Sequence, residues 1–137
     1  MMGNVREFGR ALRRACDSVP ERIAVVGTRG ISHWPATPNS GKIVEEWDRE
    51  FLDAWTANDR ERLLSYTDES TLRDAGQGGF EIRTLLSIAA LCEDAQGELW
   101  FYRPIPIFSV GCTVAVMKVG DMAGSAESDP ARESLPA

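Results

Sequence analysis

Apolar positions recur in this chain with helical and strand-like periods, and the switches between them mark out its elements. Val5, Phe8, Leu12, Ala15, Cys16 and Val19 fall at helical spacing, which predicts a helix over residues 4–18 with one buried stripe and its arginines on the other face. Pro20 ends it. Ile23, Ala24, Val25 and Val26 form a continuous apolar run between Pro20 and Gly27, the pattern of a short strand buried on both faces. Ile43, Val44, Trp47, Phe51, Ala54 and Trp55 share a face of a second helix over residues 41–56. Glu45, Asp48, Arg49 and Asp53 share the opposite face, and Asn39 or Ser40 serves as cap.

Shorter signals follow. Asn58 to Glu61 has the spacing of a capping box and predicts a short helix through Leu64; Thr67 and Asp68 open another that ends near Gly76. Phe80 to Leu91 is apolar nearly all round, which places a buried helix at the centre of the fold. Glu98–Tyr102 and Cys112–Lys118 are rich in β-branched and aromatic residues and read as neighbouring strands linked through Pro104 and Pro106. From residue 120 onward Gly, Ser, Ala, Glu, Asp and Pro dominate, which predicts a disordered tail over 120–137 after a single domain over 1–119. Three strands layered by helices leave strand edges exposed, so the chain is expected to be part of a larger α/β sandwich, completed by another chain or a missing segment.

Composition narrows the function classes. The chain has 137 residues, 43% apolar and 26% charged, as in an ordinary globular domain, and its formal charge of -6 disfavours nucleic acid and anionic membranes as partners. Cys16, Cys92 and Cys112 are odd in number and lack metal-site spacing, so they read as reduced residues of a cytoplasmic protein. No apolar run approaches the roughly 20 residues that span a bilayer.

The only histidine, His33, follows the predicted first strand in Gly27-Thr28-Arg29-Gly30-Ile31-Ser32-His33, and ligands of open α/β sheets bind beyond the carboxyl ends of strands. Read from the residues alone, an ordinary hydrogen-bonded loop histidine is the better explanation. Glu81 opens the buried helix just after Gly78 and Gly79, where an acid commonly serves only to offset the helix dipole. Trp34, followed by Pro35 and Pro38, lies in a stiff, extended loop.

The Gly27–His33 stretch resembles the glycine-threonine-glycine-glycine-leucine-serine-histidine segment of the class III extradiol ring-cleavage dioxygenases, the family of the protocatechuate 4,5-dioxygenase β subunits. Ser32-His33-Trp34-Pro35, Glu46–Leu52, Asp74–Arg83 and Gly111–Val116 agree in the same order, over residues 5 to 118. The resemblance implies a partial α/β/α sandwich, a small sheet flanked by helices, corresponding to the C-terminal portion of that family's catalytic domain. It implies a non-haem Fe(II) enzyme that opens a catechol-type ring with O₂. Glu81 then falls at the carboxylate iron ligand and His33 at the residue that moves protons during ring cleavage, a role suited to an imidazole. Ser32 and Trp34 become substrate-side candidates.

Two departures from the family stand out. Arg29 replaces a glycine of the turn, and the two histidine ligands that the family's N-terminal part supplies are absent. The isolated chain is therefore expected to be inactive, completed by another chain or by a missing N-terminal segment, with a truncated reading frame as the simplest origin. The competing reading is a non-catalytic remnant or interaction subunit of the same fold, and a third, a generic ligand-binding α/β domain, rests on composition alone.

Overall fold

The computed structural model describes residues 2–28 and 30–119. Five α-helices and one hairpin make up the described fold: α1 (Met2–Asp17), α2 (Glu45–Thr56), α3 (Arg60–Ser65), α4 (Asp68–Ala75), α5 (Ile82–Leu91), β1 (Gly97–Ile105) and β2 (Val110–Met117). A 3-10 turn, Gly78–Glu81, leads into α5. This mixture of helices and a small antiparallel sheet matches the expected α/β class. The predicted tail, 120–137, lies outside the described residues.

The core is built where the helical stripes predicted it. Phe51, Leu52 and Trp55 of α2 and Ile82, Leu85, Leu86 and Ala89 of α5 bury against Ile31 and Leu63. Trp55 donates its indole N–H to the Leu85 carbonyl at 2.7 Å, which locks the two helices in register while satisfying a buried donor. Trp47 stacks on Phe51, and both rings meet Tyr66 edge-on, so the aromatic stripe of α2 is continuous with the segment after α3. α1 crosses α5 at Gly9. A Cβ there would lie 2.3 Å from the Ser87 carbonyl oxygen, so only glycine permits this approach. Arg6 and Arg10, placed on the outer face by periodicity, instead reach Glu93 beyond the end of α5.

β1 and β2 pair antiparallel, Leu99 opposite Ala115 and Phe101 opposite Val114, with Trp100 inserted as a bulge between them. One face of this hairpin packs on α2 through Tyr102, Ala115 and Met117. The other leaves Trp100, Phe101 and Val114 exposed.

Four expectations are corrected. Residues 22–28 form no strand, and the run predicted to be buried on both faces is open: Val26 is 79% and Ile23 49% exposed. A strand requires a neighbour, and the hairpin of β1 with β2 is the one sheet among the described residues. Second, α2 begins at Glu45, after a turn in which Gly41 takes φ +96°, and neither Asn39 nor Ser40 caps it. Third, Asp59 caps α3, leaving Asn58 at φ 49° with its side chain free for a tertiary role. Fourth, Asp48 is fully buried although the pattern put it on the polar face of α2.

Candidate functional site

His33 is held by backbone on both sides. Its N–H donates to the Ala75 carbonyl at 3.0 Å, and its own carbonyl accepts from the Gly78 N–H at 3.1 Å, so the loop is clasped by the turn that joins α4 to α5. That turn needs its glycines. Gly76 takes φ +79°, and a Cβ on it would strike the His33 carbonyl and the Trp34 ring. A Cβ on Gly78 would sit 2.4 Å from three atoms of the imidazole, so the ring lies directly on bare backbone.

Orientation of the ring follows from one contact. Nδ1 lies 3.0 Å from the Ile31 carbonyl oxygen, which accepts only, so Nδ1 carries the hydrogen and Nε2 faces the other way. There it meets Glu81, with Nε2 3.5 Å from Oε2. Glu81 also accepts from the Gly30 N–H at 3.4 Å. The structure thus brings together the two residues singled out by sequence, the imidazole nine-tenths buried and the carboxylate about one quarter exposed. Such a pair can pass a proton between Nε2 and a neighbouring oxygen.

Ser32 and Trp34 flank the imidazole but are largely withdrawn from solvent. The Ser32 hydroxyl accepts from the Val44 N–H at 2.9 Å, and Lys42 lies over the Trp34 ring at 4.5 Å. Gln77 donates to the Pro35 carbonyl at 2.7 Å and closes the loop over the turn.

Sequence reasoning missed Asp48. Its Oδ1 accepts from the Ser32 N–H at 2.8 Å and its Oδ2 from the Tyr102 hydroxyl at 2.7 Å, tying α2 and β1 to the loop that carries His33. Burial pushes its carboxyl above the ordinary aspartate range, and the hydrogen bonds from Ser32 and Tyr102 only partly offset this. Burial, followed by the facing carboxylate, raises the Tyr102 phenol in turn. An acid beside Trp47 on the charged stripe of α2 carries no such signal; a hint lay in Gly111, whose missing side chain leaves room for Asp48.

Among the described residues no group of three or more His, Cys, Asp or Glu side chains is placed to hold a metal ion. Three cavities lie away from this pair: one between α1, α3 and α5 near Asn58 and Leu86, one beside Arg10 and Arg14, and one between residues 26–28 and β2. Cys16, Cys92 and Cys112 are all unbridged. No described helix is long and apolar enough to cross a membrane.

Gallate dioxygenase of Pseudomonas putida is 39% identical to this chain over 82 residues, which is 58% of this chain and 24% of that protein. The 2,3-dihydroxyphenylpropionate/2,3-dihydroxicinnamic acid 1,2-dioxygenase of Rhodococcus jostii is 25% identical over 80% of this chain and 50% of its own length. Its counterpart from Paraburkholderia xenovorans is 24% identical over 74% of this chain and 46% of its own. The chain therefore spans between a quarter and about half of these relatives. The model of the catalytic LigB subunit of aromatic ring-opening dioxygenase matches residues 2–113, well over half of the sequence, and to that family the chain belongs.

Proposed function

We propose that this chain carries two working side chains of an extradiol dioxygenase that opens a catechol-type ring with O₂ at a non-haem Fe(II) centre. Glu81 is the proposed carboxylate ligand and His33 the proposed acid and base. The observation that supports this most is the approach of His33 Nε2 to Glu81 Oε2 at 3.5 Å with Nδ1 committed to the Ile31 carbonyl. The described residues do not by themselves fit a ferrous ion, because one carboxylate and one imidazole fall short of the two imidazoles and a carboxylate that such iron takes. The remaining ligands are proposed to come from the part of the family's domain outside residues 1–137.

What this chain contributes can be stated without the metal. His33 takes a proton at Nε2 from a phenolic hydroxyl placed against it and returns it to the opened product, while the Ile31 carbonyl keeps Nδ1 protonated and the ring in one tautomer. Ser32 spends its hydroxyl on Val44, so its proposed part is to hold the loop. Trp34 is the candidate wall for the aromatic ring. The protein is proposed to act in the cytoplasm.

The test is anaerobic addition of Fe²⁺ to the chain alone and to the chain complemented with the rest of a family domain, followed by oxygen and gallate, protocatechuate or catechol. The chain alone is expected to give no ring-opened product. In the complemented form Glu81→Ala loses iron, whereas His33→Ala keeps iron and loses roughly 10²–10⁴ in rate. Turnover by the chain alone overturns the proposal. A complemented form that binds neither iron nor substrate favours the second reading, a non-catalytic subunit of the same fold.

A further inference from the structure

The two free edges of the hairpin are not alike. β1 carries Pro104 opposite Gly111 and a bulge at Trp100, both of which blunt a strand edge against pairing. β2 carries neither. Gly111 gives its carbonyl to the Ile31 N–H at 3.3 Å, pointing away from β1, and the period-two alternation of a strand sends the N–H and C=O groups of Thr113 and Ala115 the same way. Across from them lie Val26, Gly27 and Thr28, which share a cleft with Thr113, Val114 and Ala115. Among the described residues, the backbone of residues 22–28 makes no backbone–backbone hydrogen bond. Leu52, Trp55 and Leu85 floor this cleft, so two unpaired edges face each other over the apolar core.

We infer that this cleft is a strand-insertion slot, filled by an apolar β-strand from the part of the family's domain that residues 1–137 do not cover. The inserted strand bonds the outward groups of Thr113 and Ala115 on one side and residues 26–28 on the other. This turns the hairpin and residues 26–28 into one continuous sheet. It also explains why an apolar run leaves Val26 79% exposed. The occupant follows from two facts: the chain matches 50% of the Rhodococcus jostii dioxygenase, leaving the other half to supply strands, and residues 120–137 contain no Val, Ile or Thr and hold two prolines, which makes them unfit to fill the slot. The inference rests on the reading of this chain as part of a larger family domain and is independent of the iron chemistry.

The experiment mixes the full chain with the half of the Rhodococcus jostii enzyme that it does not match, and reads binding and amide hydrogen exchange without any activity assay. A one-to-one complex is expected in which the amides of Val26, Thr28, Thr113 and Ala115 exchange about tenfold or more slowly than in the chain alone. Ala115→Pro removes only an outward N–H, so it keeps the hairpin by circular dichroism yet weakens the complex about tenfold or more. Val26→Lys, at an exposed position, weakens it likewise and serves if the proline variant does not fold. No complex, a complex that leaves those amides unprotected, full binding by the folded variants, or self-association through this edge overturns the inference. Loss of iron binding with the strand still docked would instead count against the proposed function alone.

Discussion

Asp48 and Ser32, 16 positions apart in sequence, are joined by a 2.8 Å hydrogen bond from the serine amide to a carboxylate that solvent does not reach. The bond matters because the next residue is His33. Asp48→Ala leaves the Ser32 amide and the Tyr102 hydroxyl without their acceptor, and the expected loss is about 2–4 kcal/mol in urea unfolding. Asp48→Asn keeps the shape and is expected to cost less than half as much.

The same carboxyl predicts a pH dependence. Burial raises its folded pKa above the ordinary 3.8, so the folded chain holds a proton that the unfolded chain has released. Stability contributed by this group is therefore highest below that ordinary value and declines as pH rises toward the folded pKa. Unfolding midpoints measured across this window are expected to fall less steeply in Asp48→Asn than in the parent.

Glu93 predicts the opposite sign. Its hydrogen bond from Arg10 holds its carboxyl below the ordinary 4.5, so its contribution is present above that value and is lost as pH falls through the lowered folded pKa. Glu93→Gln is expected to cost at most about 1 kcal/mol, since the group is partly exposed, and to speed amide exchange in α1 more than in α5.

Gly78→Ala tests the seat of the imidazole. The new methyl would overlap the His33 ring, and displacing it is expected to cost about 1–3 kcal/mol and to move the ring away from Glu81. His33 is the only histidine, so a single set of ring resonances reports the change. Unchanged resonances in a folded variant would show that the ring does not rest on Gly78.

Thr67 and Ser70 cap α4 reciprocally, the Ser70 N–H donating to the threonine hydroxyl at 3.1 Å and the Thr67 N–H to the serine hydroxyl at 3.0 Å. Thr67→Ala is expected to cost about 1 kcal/mol. Because α4 ends at the turn that clasps His33, thermal melting of this variant is expected to loosen that turn before the core.

Helices were legible in the sequence because their stabilising contacts repeat: the stripe Trp47, Phe51, Trp55 needs only a core to face, and Thr67 announces its own cap. The strand expected at residues 23–26 was not realised, since pairing depends on a second strand that local pattern cannot supply. Asp48 was misplaced for a related reason, its partners Ser32 and Tyr102 being 16 and 54 positions away. At the candidate site, His33 and Glu81 were named through resemblance, but the Ile31 carbonyl that fixes the imidazole is backbone and leaves no mark in a sequence.

Asn58 donates from one amide nitrogen toward the carbonyls of Cys92 at 2.8 Å, Ala95 at 2.9 Å and Ala89 at 3.4 Å, closing the end of α5. Slow deamidation during storage would exchange that donor for a negative charge set against three oxygens at the negative pole of the helix. An ageing sample should thus fray first at α5, which makes the chemical integrity of this one amide a shelf-life determinant for the whole chain.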